Sequence, residues 1–152
     1  MSRNRATGFT LVELLVVVAI IGIISAIAIP NLLFAVDRGK QKRSMSDMRT
    51  IGSAVAAYNM DEDNYPIFTS EVPMTDVASL LTPTYLKHVP TLDGWGYNFL
   101  YTSDGDIYTV KCYGKDGQSG GPAGDPPPPG LTSHFDDDLI FEIGNFITEP
   151  DR

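Results

Sequence analysis

The sequence predicts an α+β fold, in which one long N-terminal helix packs on a small antiparallel β-sheet head with long C-terminal loops. Two observations carry this prediction. The first is an apolar run, uncharged from Leu14 to Val36, that continues into a stretch with apolar residues at helical spacing. The second is a pair of aromatic and β-branched runs, 99–102 and 107–112, on either side of an Asp-Gly turn. Such a long helix followed by paired strands is typical of the α+β class.

The uncharged run is long enough to cross a bilayer. As a helix it would extend about 35 Å, and the hydrocarbon core of a bilayer is about 30 Å thick. A carboxylate, Glu13, stands at the start of the run, and two arginines, Arg3 and Arg5, precede it. Because an acid within a membrane segment is costly, Glu13 is a candidate functional residue whose partner has to be identified.

The start of the chain is either a secretory signal or a retained membrane helix, and the sequence favours the helix. The apolar run exceeds the 7–15 residues of a usual signal core, and the chain stays apolar through 32–34. Orientation is left open by charge alone, since the arginines before the run compete with bases after it. These later bases are Arg38, Lys40, Lys42 and Arg43.

Charge is unevenly distributed along the 152 residues, whose net charge is −8. The segment 61–152 is strongly acidic, which argues against nucleic-acid binding because phosphate contacts need clustered Lys and Arg. The basic cluster 38–43 would meet anionic lipid headgroups or form a solvated helix face, and both readings stay open. Cys112 has no second cysteine to pair with, so we expect a small packed residue.

The helix is predicted to run from about Thr10 to about Asn59, with a bend at Pro30 and a weak point near Gly39. Its first half is apolar on every side. Its second half has one apolar stripe for a small domain to pack on. That stripe consists of Met45, Met48, Ile51, Val55 and Tyr58.

The remaining elements belong to the head. Segment 61–66 is predicted to end the long helix, and a short second helix is expected at about 75–81. The runs 99–102 and 107–112 form an antiparallel hairpin with 103–106 as its turn. We expect this sheet to pack against the amphipathic half of the long helix.

The motif at residues 8–13, GFTLVE, resembles the signal of type IV pilins and type II secretion pseudopilins. The resemblance implies that a prepilin peptidase cuts after Gly8 and methylates Phe9. It implies that Glu13 pairs with the new amine of Phe9, in its own or a neighbouring subunit, and sets the register between subunits during assembly. Pro30 corresponds to the proline that bends the family's helix. The implied division is a leader 1–8, a transmembrane and filament-core helix 9–36, its amphipathic continuation 37–60 and a head 61–152.

Segments of the head resemble the major pseudopilin of type II secretion. The sequence DGWGY at 93–97 is similar to the family's DPWGNPY, with Gly94 where the family has proline and Tyr97 where it has asparagine. Residues 113–121 are similar to its LGADGxxGG loop, and 136–139 resemble the acidic element that follows that loop.

The resemblance implies a structural calcium ion in the acidic loop. Calcium prefers carboxylate and carbonyl oxygens. The ligands would be Tyr113, through its carbonyl, and the carboxylates of Asp116, Asp136, Asp137 and Asp138. A solvated acidic loop is the alternative. The proline-rich segment 122–130 lies between 113–121 and 136–139. Three interpretations are open: it extends a surface loop, it displaces the calcium ligands, or it presents a stiff surface to a partner.

These features predict a structural filament subunit and not an enzyme. The predicted function is that of the major pseudopilin whose polymerisation drives type II secretion. The first alternative is a major or minor subunit of a surface type IV pilus for adhesion or twitching, although such major pilins usually carry a C-terminal disulfide loop. A membrane-anchored extracytoplasmic enzyme is the remote alternative.

The resemblance also implies the partners and the location. The partners would be other copies of the chain in a helical filament, the prepilin peptidase, an inner-membrane assembly platform, minor pseudopilins and, before assembly, the membrane. The chain would cross the bacterial inner membrane once, with a cytoplasmic N-terminus and a periplasmic head. It would then enter a periplasmic or cell-surface filament.

Overall fold

The structure is a computed structural model that describes residues 8–122, 128–132 and 134–150, with the side chains of 149 and 150 left out. The leader before Gly8 and the centre of the proline-rich segment lie outside the described residues. The chain divides into two compact units, with the boundary between Val36 and Asp37.

Helix α1 spans Leu11–Glu62, close to the predicted bounds. Its helical assignment is continuous through Pro30 and through Gly39. Next to the proline, the Asn31 side chain donates a hydrogen bond to the Ile27 carbonyl at 3.1 Å, which adds a bond to the turn that the proline weakens. The bend at Pro30 stays a prediction.

The part of α1 in the second unit buries the predicted stripe. Met48, Ile51 and Val55 are fully buried, and Met45 and Tyr58 pack at the margin of the same core. Spacing of three and four residues places these side chains on one face of a helix, so the stripe could be predicted from the sequence.

The head contains one short helix and one sheet of six strands. The helix, α2, spans Met74–Leu81 as expected. The strands are β1 Phe68–Pro73, β2 Leu100–Ser103, β3 Tyr108–Cys112, β4 Gly130–Thr132, β5 Leu139–Glu142 and β6 Asn145–Pro150. They lie in the order β1-β2-β3-β5-β6-β4. The predicted hairpin is β2–β3, and Gly105 adopts a positive φ of 104° in its turn.

The sheet is mixed, so the prediction of an antiparallel sheet is wrong at one edge. Strands β5 and β6 are joined by a tight turn at Ile143 and Gly144, both with positive φ. The turn places β6 next to β5, so β6 presents the free edge at this side of the sheet. There β4 pairs in the parallel direction.

The sheet packs on α1 through aromatic side chains. Tyr101 and Tyr108 are almost fully buried, and the Tyr108 hydroxyl lies 3.4 Å from the Gly52 carbonyl, to which it donates. A Cβ at Gly52 would lie 2.4 Å from the Phe141 ring. The helix thus needs glycine at this position for the sheet to come so close.

Candidate assembly site and acidic loop

The N-terminal end of α1 is closed by a reciprocal pair of side chains, Thr10 and Glu13. The carboxylate Oε2 of Glu13 accepts bonds from the Thr10 backbone N–H at 2.9 Å and from its hydroxyl at 2.7 Å. In return, the Glu13 N–H donates to the Thr10 hydroxyl oxygen at 3.2 Å. This is a capping box, and it satisfies backbone donors that a helix end leaves without partners. Sequence reasoning named Glu13 but missed Thr10, although the T-x-x-E spacing was the signal.

The capped carboxylate remains accessible. Among the described residues, Thr10 alone donates hydrogen bonds to this carboxylate, and both residues are exposed. A carboxylate has about four lone-pair sites, so Glu13 can accept a further bond from an amine while the cap persists. Its negative charge also lies at the positive end of the helix dipole.

Gly8 and Phe9 lie before the first turn of α1 and are exposed. A Cβ at Gly8 would meet nothing within 4 Å, and 77% of the Phe9 surface is accessible. These positions are near Glu13 along the chain, whereas Pro30 lies more than four turns further along the helix. Gly8, Phe9 and Glu13 are thus close in sequence at the start of α1, and Pro30 lies further along the helix.

The apolar half of α1 exposes its side chains. The exposed fractions of its large apolar residues, from Phe9 to Val36, lie between 46% and 79%. By length and composition the helix can cross a membrane. An apolar surface this extensive needs lipid or other apolar helices against it.

The predicted calcium ligands occupy different environments. Asp137 and Asp138 are buried, with 1% and 0% of their surface exposed, and Asp136 is half-buried. Asp116 is exposed, and its Oδ1 accepts the Gln118 N–H at 3.0 Å within its own turn. The Tyr113 hydroxyl donates to Glu71 Oε2 at 3.0 Å.

The two halves of the acidic loop touch through their backbones. The Lys115 N–H donates to the Phe135 carbonyl at 2.8 Å. Gly114 and Gly121 have φ of 73° and 84°. A Cβ at Gly121 would lie 2.3 Å from the Asp136 carbonyl oxygen. Glycine is therefore required at this close approach.

Lys111, which lies on β3, also contacts the acidic loop. This residue was not identified from the sequence. Its ammonium lies 3.6 Å from Asp138 Oδ2 and 3.5 Å from Glu71 Oε1. Asp138 Oδ2 also accepts the Gly120 N–H at 3.1 Å. Among the described residues, no three His, Cys, Asp or Glu side chains gather where they could hold a metal ion. The calcium site stays a prediction.

A buried polar cluster holds the 93–97 loop against α1. Asp93 Oδ1 accepts the backbone N–H groups of Trp95, Gly96 and Tyr97 at 2.7 to 2.9 Å. The Cys112 thiol lies 3.1 Å from Asp93 Oδ2, and burial, then the Asp93 charge, raise the pKa of that thiol. Cys112 is thus a packed, protonated residue, as expected.

Gly94 fits this loop to the helix. Its N–H donates to the Ser44 hydroxyl oxygen at 2.9 Å, a bond that proline at this position would lack. A Cβ here would lie 2.3 Å from the Lys40 carbonyl oxygen. The departure from the family's proline therefore has a local structural reason.

An ion pair joins the acidic loop to the start of the second unit. Lys115 Nζ lies 2.8 Å from Asp37 Oδ2, and the Asp37 side chain is 14% exposed. The hydrogen bond from Lys115 lowers the pKa of Asp37, and the same bond raises the pKa of Lys115. The loop, α1 and β3 are therefore linked by two lysines.

Two family models match the chain. The model described as type II secretion system (T2SS), protein G, matches residues 31–126. The prokaryotic N-terminal methylation motif matches residues 3–29 and includes the GFTLVE sequence.

Curated relatives agree with the first model. The type II secretion system core protein G of Vibrio cholerae is 34% identical over 131 residues, covering 78% of this chain and 86% of the relative. The protein of the same name from Pseudomonas aeruginosa is 31% identical over 136 residues, covering 78% and 92%.

A pilin is similar over a shorter region. The type IV major pilin protein PilA of Myxococcus xanthus is 43% identical over 70 residues, covering 46% of this chain and 31% of the pilin. No match to a solved structure was found. Because the family model and the core proteins both extend over most of the chain, this chain belongs to the type II secretion system protein G family.

Proposed function

We propose that this chain is the structural subunit of a helical filament, the major pseudopilin whose polymerisation drives type II protein secretion. One observation carries the proposal. The chain presents an apolar helical half, 46% to 79% exposed at its large side chains, with one carboxylate at its N-terminal end. Before assembly lipid covers this surface, and in the filament the helices of other copies replace the lipid.

The first step of assembly is removal of the leader. A prepilin peptidase cuts after Gly8 and methylates Phe9, and the match to the N-terminal methylation motif supports this step. Cleavage removes Arg3 and Arg5, which would otherwise oppose withdrawal of the helix from the membrane. It also creates a positively charged amine on Phe9.

Glu13 is the partner of that amine. A charge inside an apolar bundle has to be paired, so an amine from a neighbouring subunit would find the Glu13 carboxylate already held in place by Thr10. Such a pair forms at one axial offset between neighbours. It therefore sets register, as a buried polar residue does in a coiled coil.

The location and partners follow from the family. The N-terminus lies in the cytoplasm and the acidic head in the periplasm. The partners are the peptidase, an inner-membrane assembly platform, minor pseudopilins and other copies of the chain. The names of the relatives, core proteins of a secretion system, support a structural role over a membrane-anchored enzyme.

A subunit of a surface type IV pilus is the second candidate. The match to the Myxococcus xanthus pilin favours it, but covers 46% of this chain. The core proteins instead cover 78%, which supports the secretion pseudopilin.

Intact mass spectrometry of the chain made in cells with a prepilin peptidase tests the proposal. We expect loss of residues 1–8 and gain of one methyl group. A Gly8→Val variant is the matched control and should keep its leader, because the cleavage site is altered while the apolar helix is not. A full-length, unmethylated wild-type chain would reject the processing step.

A further inference from the structure

We propose that the Lys111 ammonium is the built-in cation of the acidic loop, so that the head folds without a bound calcium ion. Asp138, one of the acids that the family resemblance assigns to a calcium site, lies beside a lysine in this chain.

Lys111 is held at the centre of the sheet. It lies on β3 and is paired with Leu100 of β2 on one side and Ile140 of β5 on the other. Its neighbours in the strand, Val110 and Cys112, face the buried core, so Lys111 projects from the opposite face. Strands on both sides leave only 13% of its side chain exposed.

Asp138 is the acid that most needs a cation. It precedes β5 and is fully buried, and a buried carboxylate is costly unless charge and hydrogen bonds compensate it. At Oδ2 the Gly120 N–H donates a hydrogen bond at 3.1 Å and the Lys111 ammonium lies 3.6 Å away, whereas Oδ1 is buried and accepts no hydrogen bond from the described residues. Thr148 fixes the backbone here, since its hydroxyl donates to the Asp138 carbonyl at 2.8 Å.

Among the described residues, Glu71 and Tyr113 also lie near the ammonium. Glu71 Oε1 lies 3.5 Å away, and the Tyr113 ring centroid lies 5.3 Å away, within cation–π range. The Tyr113 hydroxyl donates to the other oxygen of Glu71 at 3.0 Å, so the groups hold one another in place.

The lysine and a calcium ion compete for the same carboxylate. A divalent ion bound to Asp138 would lie next to the ammonium, and at that distance like charges repel strongly in a low-dielectric site. Asp116, the other expected acidic ligand of the first half, is exposed and bonded within its own turn.

Thermal unfolding of the mature full-length chain in detergent micelles tests the inference. We expect the Tm of the wild-type chain to be the same in excess chelator and in millimolar calcium chloride. Lys111→Met keeps most of the aliphatic stem but removes the ammonium beside Asp138, so its Tm should fall by roughly 10 °C. Lys87→Met is the matched control, because Lys87 is exposed, and its Tm should stay at the wild-type value.

Two results would overturn the inference. One is a lower wild-type Tm in chelator than in calcium, and the other is a Lys111→Met variant as stable as Lys87→Met. If Lys111→Met does not fold, the double variant Lys111→Met with Asp138→Asn decides. It should fold, because the buried charge is gone, and a double variant that also stays unfolded would contradict the charge-pairing role.

Discussion

At the scale of single residues, the glycines of α1 show how closely sheet and helix approach. Gly52 has the Phe141 ring and the Tyr108 hydroxyl where a Cβ would stand, at 2.4 and 2.9 Å. A Gly52→Ala chain gains helix propensity of about 1 kcal/mol but overpacks a core that resists added volume. Overpacking costs about 1–3 kcal/mol, so we expect a net loss of up to about 2 kcal/mol in the free energy of unfolding, measured by denaturant titration in micelles.

Gly39 is the matched control in the same helix. A Cβ at Gly39 would meet nothing within 4 Å, so Gly39→Ala should raise the free energy of unfolding by about 0.5–1 kcal/mol. Equal effects of the two substitutions would show that the packing at Gly52 is not as close as described.

Residue environments were predictable from sequence only where local spacing decides them. Met48, Ile51 and Val55 are buried as their helical spacing predicted. Lys111 was not recognised, because a lysine in a strand is ordinarily solvated. Its contacts with Glu71 and Asp138 depend on strands distant in sequence.

At the scale of elements, too, local sequence predicts some features, whereas others depend on strands that are distant in sequence. The helices and the β2–β3 hairpin carry local signals, a periodic stripe and an Asp-Gly turn, and they lie where predicted. The parallel pairing of β4 with β6 has no local signal. It depends on which edge of the sheet is open once β5 and β6 have paired.

The contact between α1 and the acidic loop gives a pH-dependent prediction. Lys115 lowers the pKa of Asp37 below its usual 3.8, so this stabilisation is present above that value and is lost as pH falls through the lowered pKa. Asp37 raises the pKa of Lys115 above its usual 10.5, so the contribution is also lost as pH rises through the raised value. Asp37→Asn should therefore lower the Tm most between these limits.

The measurement is the Tm of wild type and Asp37→Asn across this pH range. We expect the difference to shrink towards strong acid and towards strong base. Asp106→Asn, which removes an exposed acid in the β2–β3 turn, is the control and should show little difference. A difference independent of pH would mean that Asp37 acts through packing and not through its charge.

At the scale of the whole molecule, the division into two units predicts that the head folds without the apolar segment. Of the residues that the structure describes, all those in the buried hydrophobic core, from Met48 to Phe141, belong to the unit Asp37–Arg152. We expect a chain starting at Asp37 to be soluble without detergent and to melt within a few degrees of the full chain in micelles. An aggregated or unfolded product would show that the apolar helix contributes to the head's stability.

The filament role was accessible from sequence because the processing motif and the apolar run are both local features. The chemistry of the acidic loop was not accessible from sequence, because a resemblance implies which residues are ligands but not which residues contact them. Lys111 stands beside Asp138, and Asp116 stays at the surface. The role of the N-terminal segment could therefore be predicted from its motif, whereas the contacts within the acidic loop could not.

The most direct measurement is electron microscopy of filaments from cells that carry the assembly machinery and produce the wild-type chain, Glu13→Ala or Glu62→Ala. Glu62 is the control, an exposed acid at the other end of α1. We expect filaments from the wild type and from Glu62→Ala. The Glu13→Ala chain should insert into the membrane but not assemble. Filaments of normal number and length from Glu13→Ala would contradict the account.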